Sequence, residues 1–144
     1  MRVGLLATVL ALSLSTSSAA AEYPYPNGIP GRLPARPTPP PWPEGVDVVQ
    51  EPVWKVRPRA IDLSRVYPQA AISDEANGRV LLRCQFGNDG RFTRCGIAAE
   101  TSPKYHFGAA AMKLAPIFVA EPNDKDGKPI AGRAIDVDII FLLN

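Results

Sequence analysis

From Val80 to Phe86 two kinds of position alternate. Val80, Leu82, Cys84 and Phe86 occupy one phase, and Leu81, Arg83 and Gln85 the other. Asn88-Asp89-Gly90 interrupts the run, after which Cys95, Ile97 and Ala99 alternate in turn. Period-two alternation on both sides of Asp-Gly predicts a β-hairpin. A two-residue turn at Asp89-Gly90 sets Cys84 opposite Cys95. A longer turn through Gly87 moves the pairing by one residue. Phe92 is out of phase with Cys95, as a β-bulge near Thr93-Arg94 would make it, and that bulge restores the pairing. Either geometry brings the two sulfurs face to face, because directly opposed antiparallel residues have Cα atoms ~4.5–5.5 Å apart, within disulfide range.

The remaining elements follow from similar patterns. Tyr67-Pro68 predicts the opening of a short helix, with Pro68 suited to its first turn, and Asn77-Gly78 predicts its end. Thr101-Ser102-Pro103 is a turn or helix start. Phe107, Ala110, Ala111, Leu114 and Phe118 recur at helical spacing, and Pro116 is expected to end or kink that helix near Leu114–Ala115. Asn123 to Gly127 is turn-rich. In the last strand Ile135, Val137, Ile139, Phe141 and Leu143 share one face. Asp136 and Asp138 lie on the other, where Arg79 and Arg83 of the first hairpin strand can meet them. The order helix, strand, strand, helix, strand predicts an α+β domain: a small antiparallel three-stranded sheet with two helices on one face. Ile140 and Leu142 break the polar face of the last strand. Something is expected to cover them: the N-terminal segment folding back, for example at Val53-Trp54, a partner strand, or a second copy of the chain.

Composition divides the chain before this domain begins. After Met1-Arg2, Val3 to Leu14 is largely apolar and Ala19-Ala20-Ala21 has the small residues of a cleavage site, so residues 1–21 read as a secretory signal peptide. The apolar run is shorter than the ~20 residues of a membrane span; an uncleaved anchor is the alternative. Residues 22–60 hold 11 of the 16 prolines, which predicts a disordered segment of polyproline II character. Tyr23-Pro24-Tyr25-Pro26 and Trp42 are candidate docking points for an aromatic-lined groove; the plainer reading is a flexible spacer. Residues 61–144 form the folded domain. Export would place Cys84 and Cys95 in an oxidising compartment, where a structural disulfide is expected; a redox pair would use Cys-x-x-Cys at a helix N-terminus.

Charge and chemistry exclude more than they suggest. The formal net charge is +2, and from Ile61 onward acidic and basic residues balance, without the basic face that nucleic-acid binding needs. The single histidine, His106, has no second ligand or nucleophile beside it. Asp124, Asp126 and Gly127 resemble part of a calcium loop, but that register puts Pro122 at its first position and Arg133 at its twelfth, so the segment reads as turn chemistry. Asp136 and Asp138 read as the solvent side of a sheet rather than as an acid–base pair. No enzyme activity, cofactor, metal or small-molecule substrate is expected.

Taken in order, Tyr67-Pro68, Ala70-Ala71, Gly78-Arg79-Val80, the alternation through Cys84 and Phe86, Asp89-Gly90-Arg91, Ile97, Phe107 with Ala110-Ala111, Pro122 and Val137 to Leu143 resemble the C-terminal domain of the TonB family. The resemblance spans about residues 61–144, and an export signal followed by a proline-rich spacer is similar to that family's layout. It implies a periplasmic domain that grips a short peptide of an outer-membrane transporter as an added strand, with force supplied by the ExbB–ExbD motor. The implied partner-binding edge is the last strand, Ala134 to Leu143, with Ile135, Val137, Ile139, Ile140, Phe141 and Leu142 as its residues. A proline at Val137 or Ile139 is then expected to block pairing. The family's anchor is a retained membrane helix bearing a histidine; residues 3–14 are shorter and have none. The chain therefore reads as an exported binding domain, the alternatives being an anchored energy transducer, self-association, or an envelope protein acting through its proline-rich segment.

Overall fold

The computed structural model describes residues 33–143; the expected signal peptide and the start of the proline-rich segment lie outside the described residues. In chain order the elements are β1 (Trp54–Val56), α1 (Ala60–Val66), α2 (Gln69–Ser73), β2 (Gly78–Phe86), β3 (Phe92–Glu100), α3 (Phe107–Met112), β4 (Val119–Ala120) and β5 (Ala134–Phe141), with short 3-10 turns at Pro103–Tyr105 and Ala115–Ile117. The main sheet has the antiparallel order β3-β2-β5, and β1 pairs with β4 in a separate two-stranded ribbon. This is the α+β architecture with an antiparallel three-stranded sheet that the patterns predict, enlarged by α1 and the β1–β4 ribbon.

The hairpin resolves the alternatives its sequence leaves open. Gly87 donates its amide to the Arg91 carbonyl at 2.7 Å, so the turn is the longer one, with Gly90 in the left-handed region at φ 77°. Phe86 pairs with Phe92 and Gln85 with Arg94, which leaves Thr93 as the bulged residue and returns Cys84 to Cys95. Their Cα atoms are 4.1 Å apart and the sulfurs are bonded. The bridge spans 11 positions, a loop whose closure stabilises by about 3 kcal/mol. The double variant Cys84→Ala/Cys95→Ala is expected to melt on the order of 10 °C below the wild type in a reversible thermal scan; an unchanged midpoint would show that the hairpin needs no staple.

Two aromatic groups organise the core under this sheet. Trp54 meets Phe86, Phe92 and Phe118 at one end, and Phe107 meets Tyr67, Tyr105 and Phe141 at the other. Between them Val80, Leu82, Ala110, Ala111, Leu114, Val137 and Ile139 are buried. Trp54 therefore packs on the core face, and it is residues 34–42 of the N-terminal segment, not Val53-Trp54, that fold back over the face carrying Arg79 and Ile140. The first helix also departs from its expected span. Its helical residues end at Ser73, Glu75 takes a left-handed turn at φ 51°, and Gly78 already belongs to β2. Gly78 is required for a tertiary reason: a Cβ there would enter the Phe107 ring. The second helix stops at Met112, and Pro116 sits in the separate 3-10 turn that follows.

Residues 33–60, the described part of the segment read from composition as proline-rich and disordered, run against the domain. Asp47 and Val49 pair with Ala134 in a parallel bridge, and β1 lies further along. Upstream, residues 34–42 cross the face of the sheet opposite the helices. Proline carbonyls remain good acceptors although proline nitrogens cannot donate, and arginines of β2 supply the donors.

Candidate partner-binding edge

A sheet in the order β3-β2-β5 has two edges, and the strands differ in how open they are. β3 carries bulges at Thr93 and at Ala98, so only a short stretch between them stays regular. Bulges of this kind blunt an edge against pairing. β5 pairs with β2 without a register shift from Gly78–Phe141 to Gln85–Ala134. It is the straight edge.

Backbone direction along β5 follows from its first residues. The Ala134 amide donates to the Asp47 carbonyl at 2.9 Å, and its carbonyl accepts from the Val49 amide at 2.8 Å. Both groups point away from β2. Because backbone groups on a strand alternate in direction, Asp136, Asp138 and Ile140 also point outward, and none of them has a backbone partner among the described residues. Ile135, Val137, Ile139 and Phe141 spend their amides and carbonyls on β2. The expectation that proline at Val137 or Ile139 would block an incoming strand is thereby corrected: those positions hold the sheet together, and the free donors belong to the alternate set.

The open stretch forms one wall of a groove of about 400 Å³. Its opposite wall is built from Gln50, Pro52, Trp54, Arg57, Pro58 and Leu63, and Ile135 to Ile140 line the strand side. Of the expected edge residues, Ile135, Val137, Ile139 and Ile140 line this groove. Phe141 is instead fully buried against Phe107, and Leu142 lies beyond the end of the strand. The groove's far wall, from the proline-rich segment and α1, is what sequence reasoning missed.

Charge fixes both ends of the arrangement. At the start of β5, Arg133 donates to Asp124 at 2.7 Å and to Asp47 at 3.0 Å, while Lys128 donates to Asp47 at 2.7 Å. The Lys128 hydrogen bond, followed by that of Arg133, holds the Asp47 carboxyl below the usual carboxylate range, and Arg133 does the same for Asp124. This cluster pins residues 47–49 against Ala134, so the incumbent segment ends where the open stretch begins. Along the strand, Arg83 forks onto Asp136 through two bonds of 2.8 and 2.9 Å, and Arg79 forks onto Asp138. Each hydrogen bond to a carboxylate raises the arginine's already high pKa. The expected cross-strand pairs are present, and they neutralise the acid–base candidates.

The rejected sites find ordinary structural places. His106 is exposed at the N-cap of α3, at φ 61°, and Glu100 accepts the Gly108 amide of that helix at 2.7 Å. Asp124 accepts from the amides of Asp126 and Lys128, which makes the 123–127 loop a side-chain-capped turn. Among the described residues no group of acidic, histidine or cysteine side chains is arranged to hold a metal, and no helix is long and apolar enough to cross a membrane.

No curated protein matches the chain significantly. The Gram-negative bacterial TonB protein C-terminal family matches residues 64–143, a span that begins within α1 and takes in the whole three-stranded sheet. Domains of that family are periplasmic, non-enzymatic protein-interaction modules. With more than half of its length inside that match, this chain belongs to the TonB C-terminal domain family.

Proposed function

We propose that this chain is an exported periplasmic binding protein that captures an extended segment of a protein partner, such as an outer-membrane transporter, by strand addition to β5. The observation that carries this reading is the row of outward, unpaired backbone groups at Asp136, Asp138 and Ile140 on an unbulged strand. Main-chain pairing supplies the affinity in this mode, and pockets for alternate side chains supply selectivity. The groove wall of Pro52, Trp54 and Leu63 offers the apolar side of such a pocket. Force from the ExbB–ExbD motor enters only if residues 1–21 are retained as an anchor.

The test is amide hydrogen exchange with a panel of short peptides that together tile the periplasm-facing sequence of outer-membrane transporters. A binding peptide is expected to protect the amides of Asp136, Asp138 and Ile140 and to leave that of Cys95 on β3 unchanged. Protection on β3 alone, or none on either edge by a peptide that binds, would overturn strand addition at β5.

A further inference from the structure

We infer that the face of the sheet opposite the helices is a binding site for a proline-rich segment, and that residues 34–42 of this chain are its resident and exchangeable occupant. The inference rests on that face alone and stands apart from the β5 edge.

The site is built in advance of its ligand. Each of two arginines on the central strand is locked by a forked pair with an aspartate of β5, and each keeps spare N–H donors aimed off the sheet. Arg79 Nη1 donates to the Pro34 carbonyl at 3.3 Å. Arg83 donates to the Pro40 carbonyl at 2.9 Å and reaches that of Pro41 at 3.5 Å. The Trp42 ring lies over the Arg83 guanidinium at 3.7 Å, and Arg36 stands 3.6 Å from Asp138. Between the two arginines Leu81 is fully buried yet belongs to no part of the main core. Residues 34–41 run from Arg79 to Arg83 along the face on which Leu81 sits.

The chemistry selects a proline-rich ligand. Extended proline segments present carbonyl acceptors with no competing amide donors and lose little entropy on docking. Fixed guanidinium forks read the carbonyls of such a surface without reading side-chain detail, and the occupant's own Trp42 ring stacks on one of them.

The occupant fits loosely enough to leave. Pro34, Pro37, Pro39 and Trp42 are only half buried, the residues between them are exposed, and a groove of about 640 Å³ lined by Trp42, Val46, Arg94 and Gly96 stays open beside the ring. A short tether gives an effective concentration in the millimolar range, so a segment of millimolar intrinsic affinity docks and undocks on its own chain. Undocking residues 33–46 lengthens the leash by roughly 40 Å at ~3.1 Å per residue.

The full chain carrying Trp42→Ala, labelled with ¹⁵N, tests this with a synthetic peptide of residues 33–43 as the probe. The peptide is expected to move the Nε–H signals of Arg79 and Arg83 and the Leu81 amide, saturating in the millimolar range. Replacing Pro34, Pro37 and Pro40 of the peptide by alanine, or Arg83 of the chain by lysine, is expected to weaken binding about tenfold. The site is refuted if those signals do not move, if the alanine peptide binds as well, or if the shifts fall only on Asp136, Asp138 and Ile140.

Discussion

An Ile140→Pro variant is expected to fold and to lose its partner, while Ile139→Pro is expected not to fold. The two residues are neighbours with opposite backbone directions. Ile139 pairs with Val80 inside the sheet, so proline there removes a ladder donor and leaves a buried Val80 carbonyl without its partner. Ile140 points its amide at the groove, where a proline is tolerated as on any edge strand. An incoming strand then loses a donor, and the ring carbons hold it away from the neighbouring groups. The lost donor alone accounts for roughly tenfold in affinity, and exclusion of the strand adds to it. Near-UV circular dichroism reports the fold, and titration with a binding transporter peptide reports the edge. A folded Ile140→Pro protein that binds as tightly as the wild type would remove β5 from consideration.

The same pair of residues shows where sequence reading stops. Hydropathy places side chains on faces, so the core positions of β2 and β5 and the Arg–Asp pairs between them were legible. It is silent on which edge a backbone amide faces, because that depends on which strand lies on which side. The hairpin and its Cys84–Cys95 pairing were legible because their constraints are local, an Asp-Gly turn, an out-of-phase Phe92 and two cysteines that must meet, while the length of the turn and the bulged residue were left for the structure to decide. Gly78 was misread as a helix stop because its reason is the Phe107 ring, far along the chain. The proline-rich segment misled in another way. Its composition gives it no core of its own, but Val49 and Trp54 join the domain's core, and Arg79 and Arg83, read only as partners of Asp138 and Asp136, supply further donors that its carbonyls can use. β1 and α1 were missed since one is very short and the other buries no residue of its own completely.

A large loss of stability is also expected from truncating the core ring in Phe107→Ala. Phe107 is fully buried at the first turn of α3, and its ring contacts those of Tyr67, Tyr105 and Phe141. Truncating such a ring costs about 3–5 kcal/mol, a large part of the 5–15 kcal/mol that typically holds a domain together. The ring also ties the end of β5 to the helix layer, so the open edge depends on it. Gly78→Ala attacks the same contact from the other side, because its methyl group enters the space of the ring. The two substitutions are therefore expected to be strongly non-additive. In a Phe107→Ala background the added methyl meets a cavity instead of a ring, and Gly78→Ala should then cost little or even restore stability. Urea unfolding of the two single variants and the double variant measures this coupling. Additive losses would mean that Gly78 is needed for its backbone and not for the ring above it.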